Sequence, residues 1–318
     1  MRVLLATYPF GQYDITPLKM LAATGWEIVE NPFRRRLKVG DVEKLLPEVD
    51  AVIAGTEPYP QEIVTRCAKR LKVIARVGVG LDNVNVEYAM KDGVMVTYTP
   101  DAPSHSVAEL TVSQMINLCR FILPSDHSVR EGAWNRMMGW LLSERTIGIL
   151  GFGRIGKIVF ELLAPFKCNI YVCDINPDIE YVKKNKVNLV NAETLFKSCD
   201  LLTIHIPHNK ANNHFINRQK IGFMHTGSFI INTSRGAVLD EAALEDALLQ
   251  RHLGGAALDV FENEPYEGNL TQLENVILTA HIGASSRESR RLMELQATED
   301  CIRVLRGEPP LRPAPKED

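Results

Sequence analysis

Three glycines and one aspartate in the middle of the chain are spaced for holding a dinucleotide. The apolar run TIGIL, from Thr146, leads into Gly151-Phe152-Gly153-Arg154-Ile155-Gly156, and the helical pattern KIVFELLAPF follows. In such a turn the first glycine allows the tight bend. The second lets backbone N–H groups approach a pyrophosphate, and the third lets helix and strand pack closely. The helix N-terminus then offers its partial positive charge to the phosphates. Asp174 closes the next apolar run, NIYVC, about 20 residues on, where a carboxylate accepts hydrogen bonds from both ribose hydroxyls of NAD. A glycine-rich turn is the bland reading of the motif alone. The strand before it, the helix after it and the acid beyond argue against that reading. Ile175, Asn176 and Pro177 follow Asp174 and none is basic, so a 2′-phosphate would meet only repulsion; NAD is expected rather than NADP.

Three further stretches stand at or just beyond strand ends, where open α/β sheets place their ligands. They are INTSRGAVLDE (231–241), GAALDVFENEP (255–265) and LTAHIGASS (278–286). With these motifs in this order, the sequence resembles the D-2-hydroxyacid dehydrogenase family, phosphoglycerate dehydrogenase-like branch, over about residues 51–305. The resemblance implies roles for particular positions. Arg235 would hold the substrate carboxylate and carbonyl, His281 would be the general acid/base, and Glu264 its acid partner. Asp259 would lie beside the nicotinamide ring, with Thr233, Ser234 and Gly283 also against the cofactor and His205, Ile206 and Pro207 lining its groove. The loop Val77-Gly78-Val79-Gly80 would grip the substrate carboxylate through backbone N–H groups. The resemblance further matches Arg76 to a position that reaches a substrate phosphate and Arg136 to a second one, acting toward a partner subunit.

The residue types suit that chemistry. Reducing a 2-keto acid needs a proton on the oxygen as hydride reaches the carbon. A histidine supplies one near neutral pH, and a neighbouring carboxylate favours its charged form. A guanidinium forks onto a carboxylate in one rigid geometry that a lysine does not copy. Taken singly, Arg235 reads as a capping or ion-pair residue, Glu264 as a solvated loop acid and His281 as a core histidine. Their succession at three strand ends favours the joint reading. The implied activity is NAD-dependent hydride transfer at C2 of a small anionic D-2-hydroxy or 2-keto acid, with D-3-phosphoglycerate among the candidates. The alternative is an NAD(H)-binding regulatory protein on the same fold, without turnover. His205 and His208 form His-x-x-His with no nearby Cys or acid, so no metal site is expected.

These residues need two sets of parallel strands to position them. Apolar runs start at Arg2, Ala51, Lys72 and Val94, and a second series at Thr146, Asn169, Leu201, Ser228, Gly255 and Val276. Helical periodicity lies between them, as in EAALEDALLQ (241–250). This is an α/β pattern, and the resemblance implies two Rossmann-like, doubly wound parallel-sheet domains with a cleft between them. Breaks at TPDAP (99–103) and HIGASS (281–286) suggest that the middle of the chain is one domain and the two ends form the other. The expected NAD-binding domain is 102–284, and the substrate domain is 1–101 plus 285–318. A helix is expected over 104–123, continuing near Trp134 as the interface of a homodimer, and a last helix over about 287–305. The Pro-rich tail GEPPLRPAPKED is expected to fray.

Bulk properties exclude several classes. Over 318 residues, 45% hydrophobic and 24% charged with a net charge of −3, nothing favours nucleic acid or an anionic membrane surface. No apolar run reaches the 18 or so residues of a membrane span, and the N-terminus meets a Tyr-Pro break too early for a signal peptide. The six cysteines form no CxxC pair and read as buried free thiols of a cytoplasmic protein. The run Arg34-Arg35-Arg36 reads as a solvated face. Two places depart from the resembled family: Gly55 stands where some phosphoglycerate dehydrogenases carry arginine, and MGWLLSERT (138–146) lacks their usual acid and glycine. The chain also stops at Asp318, which leads one to expect no regulatory domain after it.

Overall fold

The computed structural model describes residues 1–315. Among them the strands form two sheets, every pairing parallel. The first contains β1 (Arg2–Leu5), β2 (Glu27–Glu30), β3 (Ala51–Ala54), β4 (Val73–Arg76) and β5 (Met95–Thr97), in the order β2-β1-β3-β4-β5. The second contains β6 (Thr146–Leu150), β7 (Asn169–Cys173), β8 (Asn188–Leu189), β9 (Leu201–Ile204), β10 (Ser228–Asn232), β11 (Leu253–Leu258) and β12 (Val276–Leu278), in the order β12-β11-β10-β9-β6-β7-β8. Strands such as AVIA, VIAR, LLTI and SFIIN are buried along their whole length. Continuous burial is what a parallel sheet needs when helices cover both faces. The strands that sequence pattern misses are the edges. EIVE in β2 has charged ends and no buried residue, and β8 is two exposed residues.

The chain divides into two compact units, Met1–Pro103 with the stretch from Ala284 onward, and Ser104–Gly283. Ala102, Pro103 and Ala284 thus belong to the first unit. The helix Arg287–Leu305 packs on β3, β4 and the helix Thr16–Ala22. Its Met293, Ala297, Cys301 and Leu305, four residues apart, join Val3, Leu5, Ile53 and Ala75 in one core. The second unit has a core on each face of its sheet, one around Phe196, Leu244 and Leu258, the other around Met115, Ile149 and Leu163.

Three expectations are corrected. The helix expected over 104–123 runs only Ser104–Arg120; Phe121 turns left-handed (φ 52°) and a second helix spans Ile122–Arg130. The departing segment explains the break. Trp140 donates its backbone N–H to Cys119 O (2.9 Å), and its ring lies 5.5 Å from Phe121, 5.7 Å from Phe229 and under the Arg145 guanidinium. The tail does not fray as far as Pro315. Arg312 pairs with Asp300 (2.9 Å) and Glu299 (2.8 Å), and Ala314 donates to Val96 O (2.8 Å). Asp300 is fully buried, so its charge requires such a partner. The rest of the tail, 316–318, lies outside the described residues. Four of the free cysteines are buried, but Cys168 and Cys173 are partly exposed.

Candidate functional site

In the second sheet the chain starts at β6, runs outward through β7 and β8, and returns to β9 on the other side. The reversal between β6 and β9 is where such sheets bind ligands. Gly151 leaves β6 there with φ +93°, and a Cβ on it would stand 2.7 Å from the backbone of His205. A Cβ on Gly156 would meet Gly151 O at 2.2 Å, whereas one on Gly153 would meet nothing within 4 Å. Only the middle glycine therefore faces open space, at the N-terminus of the helix Arg154–Leu163. That is the arrangement a pyrophosphate needs. Arg154 is exposed beside it and Ile155 half-buried.

Asp174 is fixed at the end of β7: Phe152 N donates to its Oδ2 (2.5 Å) and Asn176 N to its Oδ1 (2.7 Å). His205 shares a hydrogen bond between its Nε2 and Thr203 Oγ1 (3.0 Å), and its Nδ1 is shut from solvent with no hydrogen-bond partner. Burial pushes its pKa down to about 3, so the ring is neutral. An orphaned buried nitrogen beside the glycine turn fits a ligand that brings a polar group. The residues present thus fit an NAD(P)-type dinucleotide. Ile206 is half-buried and touches the position a Gly151 Cβ would take; Pro207 is exposed. His208 is exposed and bonds Asn213. Among the described residues no group of three or more His, Cys, Asp or Glu is placed to hold a metal.

The turn after β10 is built by a residue that sequence reasoning overlooked. Asn232, fully buried, accepts from Ser234 N (3.0 Å) and Ser234 Oγ (2.9 Å) and donates to Arg235 O (2.9 Å). A buried asparagine ending an apolar strand was the available signal. Thr233 Oγ1 bonds Thr111 Oγ1 (2.9 Å), tying the turn to the helix Ser104–Arg120. Arg235 is half-buried, with Nη1 on Ser234 O (2.7 Å).

Beyond β11 and β12 the structure brings Glu264 and His281 together. His281 Nδ1 lies 2.8 Å from Glu264 Oε2 and 3.1 Å from Oε1. A carboxylate only accepts, so this contact assigns the Nδ1 proton and turns Nε2 away from Glu264. Both side chains are exposed to solvent, 49% and 38%. His281 is itself left-handed (φ 52°), a conformation that persists only where the surroundings hold it. The holder is Asp259, nearly fully buried. Its Oδ1 accepts from Thr279 Oγ1 (2.6 Å) and Ile282 N (2.8 Å), and its Oδ2 from Gly283 N (2.7 Å). Both oxygens of Asp259 are thus engaged in shaping the turn that carries His281. Thr279 was another residue not singled out from sequence. Gly283 sits tightly, with room for a Cβ only 3.0 Å from Asp259 Oδ2 and 3.3 Å from Val107.

In the first unit, Arg76 ends β4 and folds under the following loop, donating from Nη1 to Val77 O. Gly78 (φ +145°) donates its N–H to Thr99 Oγ1 (2.9 Å). Val77 and Gly78 are buried, Gly80 half-buried and Val79 exposed. Arg136 lies in an exposed stretch, and Arg35 pairs with Asp41 (2.8 Å) on the surface.

Two Rossmann-like units, one with a dinucleotide turn and a histidine–carboxylate pair at neighbouring strand ends, define a nucleotide-dependent oxidoreductase. The sequence pattern described as D-isomer specific 2-hydroxyacid dehydrogenase, NAD binding domain, matches residues 112–283. The hydroxypyruvate reductase of Thermotoga maritima is 35% identical over 276 residues, covering 85% of this chain and 89% of that protein. The D-3-phosphoglycerate dehydrogenase of Methanocaldococcus jannaschii is 38% identical over 273 residues, 84% of this chain but 52% of that protein. The chain thus spans about half the length of that relative. Among solved structures, the TT0316 protein from Thermus thermophilus superposes with a TM-score of 0.90 at 30% identity, covering 99% of this chain and all of that one. The chain belongs to the D-isomer specific 2-hydroxyacid dehydrogenase family, oxidoreductases that act on a CH–OH group with NAD(P). No helix among the described residues is long and apolar enough to cross a membrane.

Proposed function

We propose that the protein is an NAD-dependent D-2-hydroxyacid dehydrogenase, working as a 2-keto acid reductase in the opposite direction. Nicotinamide, when bound, supplies the hydride that C2 receives in reduction, or takes it up in oxidation. The chain's own residues handle the proton and the charge. His281, held through Nδ1 by Glu264, gives a proton from Nε2 to the substrate oxygen in reduction and removes it in oxidation. Arg235 forks onto the carboxylate and polarises the carbonyl. In the loop Val77–Gly80 it is the N–H groups of Val79 and Gly80 that suit a carboxylate, because Val77 N donates to Ala54 O (2.8 Å) and Gly78 N to Thr99 Oγ1 (2.9 Å). Asp174 accepts from ribose hydroxyls and repels a 2′-phosphate, which supports NAD over NADP.

The observation that carries this reading is the 2.8 Å contact of His281 Nδ1 with Glu264, supplied by the ends of adjacent strands β11 and β12. Replacing His281 with Ala tests it on an accepted 2-keto acid such as hydroxypyruvate or glyoxylate. We expect kcat to fall about 10²–10⁴-fold while NADH affinity stays near wild type. Wild-type turnover in that variant would remove the proton relay.

A homodimer is part of the same reading. Ile122, Leu123, Val129, Trp134, Met138 and Leu141 are exposed apolar residues, Trp134 at 76% and Met138 at 89%. Apolar exposure concentrated in one stretch of chain favours a second copy as its cover. Six free thiols suit a reducing cytoplasm.

A further inference from the structure

The segment after β11 that carries Glu264 has two consecutive N–H groups bound by carboxylates. Phe261 N donates to Glu264 Oε1 (3.1 Å), so Glu264 folds back on its own segment. Glu262 N donates to Glu241 Oε1 (2.6 Å), and Glu241 opens the helix Glu241–Leu249 after β10. The peptide joining Phe261 to Glu262 also lies against Gly236, where a Cβ would stand 2.4 Å from Glu262 N. The bond from Glu241 is returned: Glu241 N donates to Glu262 Oε1 (3.2 Å), which His214 Nε2 approaches to 3.1 Å. His214 comes from the loop after β9, and its own N–H is tied to Ala237 O (2.8 Å) in the turn after β10. Loops following the neighbouring strands β9, β10 and β11 thus meet in one clamp.

Helix capping does not account for Glu241. Asp240 is the N-cap, accepting from Ala243 N (2.9 Å), and the Glu241 carboxylate reaches away from its own helix to a different loop. The arrangement also has an electrostatic cost. Burial raises the pKa of Glu241, and the Glu262 and Glu264 charges act in the same sense, against the Glu262 N–H bond and His214. Asp240, Glu245, Tyr266 and Glu267 line the same hollow, of about 570 Å³, and add no positive charge. The first three are bonded elsewhere, to Ala243 N, Asn269 Nδ2 and Leu270 N. A half-buried carboxylate kept among like charges is a cost that concentrates at functional sites.

We propose that Glu241 is a positioning residue for the His281–Glu264 pair. Its carboxylate fixes the peptide joining Phe261 to Glu262, and that segment keeps Glu264 on His281 Nδ1. Glu262 and His214 close the clamp from the facing loops. A hydrogen bond sets the rotation of a peptide as well as its place, which packing on Gly236 alone does not. Without that bond the segment from Phe261 to Pro265 gains freedom, and the carboxylate that directs the Nδ1 proton loses its fixed position. The effect on turnover rests on the dehydrogenase reading above, whereas the effect on the His281 ring does not.

The test compares wild type with Glu241→Ala and Glu241→Gln. Gln keeps an acceptor for Glu262 N without the charge, so it separates positioning from charge. Nitrogen NMR of isotope-labelled histidine, with His281→Ala to assign the signal, reads which nitrogen carries the proton in the neutral ring at alkaline pH. Wild type and Glu241→Gln are expected to hold it on Nδ1, and Glu241→Ala to spread it over both nitrogens. In NADH-coupled reduction of hydroxypyruvate or glyoxylate, Glu241→Ala should lose about tenfold in kcat, short of the larger penalty for a full misplacement of about 1 Å. NADH affinity should stay unchanged, and Glu241→Gln should restore the rate. An unchanged tautomer in a Glu241→Ala protein that melts like wild type overturns the proposal. So does an equal change in both variants, which assigns the effect to charge. If Glu241→Ala does not fold, Glu262→Ala and Glu262→Gln, which remove and keep the returning acceptor, are read in the same way. Turnover of neither keto acid by wild type that binds NADH defeats the dehydrogenase reading instead, and the tautomer comparison still decides on Glu241.

Discussion

Gly236 gives the sharpest test of how the His281–Glu264 pair is positioned. It begins the short turn after Arg235, and a Cβ on it would stand 1.9 Å from Phe261 C, 2.1 Å from Phe261 O and 2.4 Å from Glu262 N. All three are backbone atoms, so no side chain can swing aside. Moving Phe261 C from 1.9 Å to the 3.4 Å at which ordinary contact begins requires a displacement of about 1.5 Å. The displaced segment is the one that carries Glu264, through Phe261 N on Glu264 Oε1 (3.1 Å) and the stacking of Phe261 on Tyr266 (4.4 Å). Its movement would separate Glu264 from His281. Gly236→Ala should therefore lose about 10²-fold or more in kcat, the penalty for a misplacement of about 1 Å, and about 1–3 kcal/mol of stability from overpacking. NADH affinity should change little, because the glycine turn lies beyond β10 and β9 in the sheet. Gly222→Ala is the control, since a Cβ there meets nothing within 4 Å. The assay is NADH-coupled reduction of an accepted keto acid, with a fluorescence titration of NADH and a thermal melt. A Gly236→Ala protein with wild-type kcat and wild-type melting would refute the reasoning.

Two further outcomes are expected. Asp174→Ala should weaken NADH binding and narrow the preference over NADPH, read from paired titrations; wild-type protein that binds NADPH more tightly than NADH contradicts the role given to Asp174. Sedimentation at micromolar concentration should show a dimer, and charged replacements of both Trp134 and Met138 should shift it toward monomer; a wild-type monomer counts against the proposed interface.

The candidate site was legible where local rules suffice. The three glycines, the acid after NIYVC and the motifs ending β10, β11 and β12 declare themselves in sequence, because each proposed role demands a residue type at a fixed distance from a strand end. The long buried strands are legible for a similar reason: burial on both faces leaves a continuous apolar run. Tertiary structure alone decided the rest. β2 is held at a sheet edge by pairing with β1 rather than by its own charged sequence, so no periodicity marks it. The tail is held to Ala314 because Asp300, buried in the helix just before it, needs Arg312, and because Ala314 pairs with Val96 of the distant strand β5. Asp259 turned out to hold the His281 turn with both of its oxygens, and Asn232 to shape the turn before Arg235. Above all, Gly55 reads in sequence as a missing arginine. In the fold it is a position closed by Glu57, two residues further along the same turn, and by Thr7, which the parallel pairing of β1 with β3 brings alongside. Residue types and spacings near one strand end are encoded locally. Which buried charge faces which backbone group depends on contacts between distant segments, and those exist only once the sheets have formed.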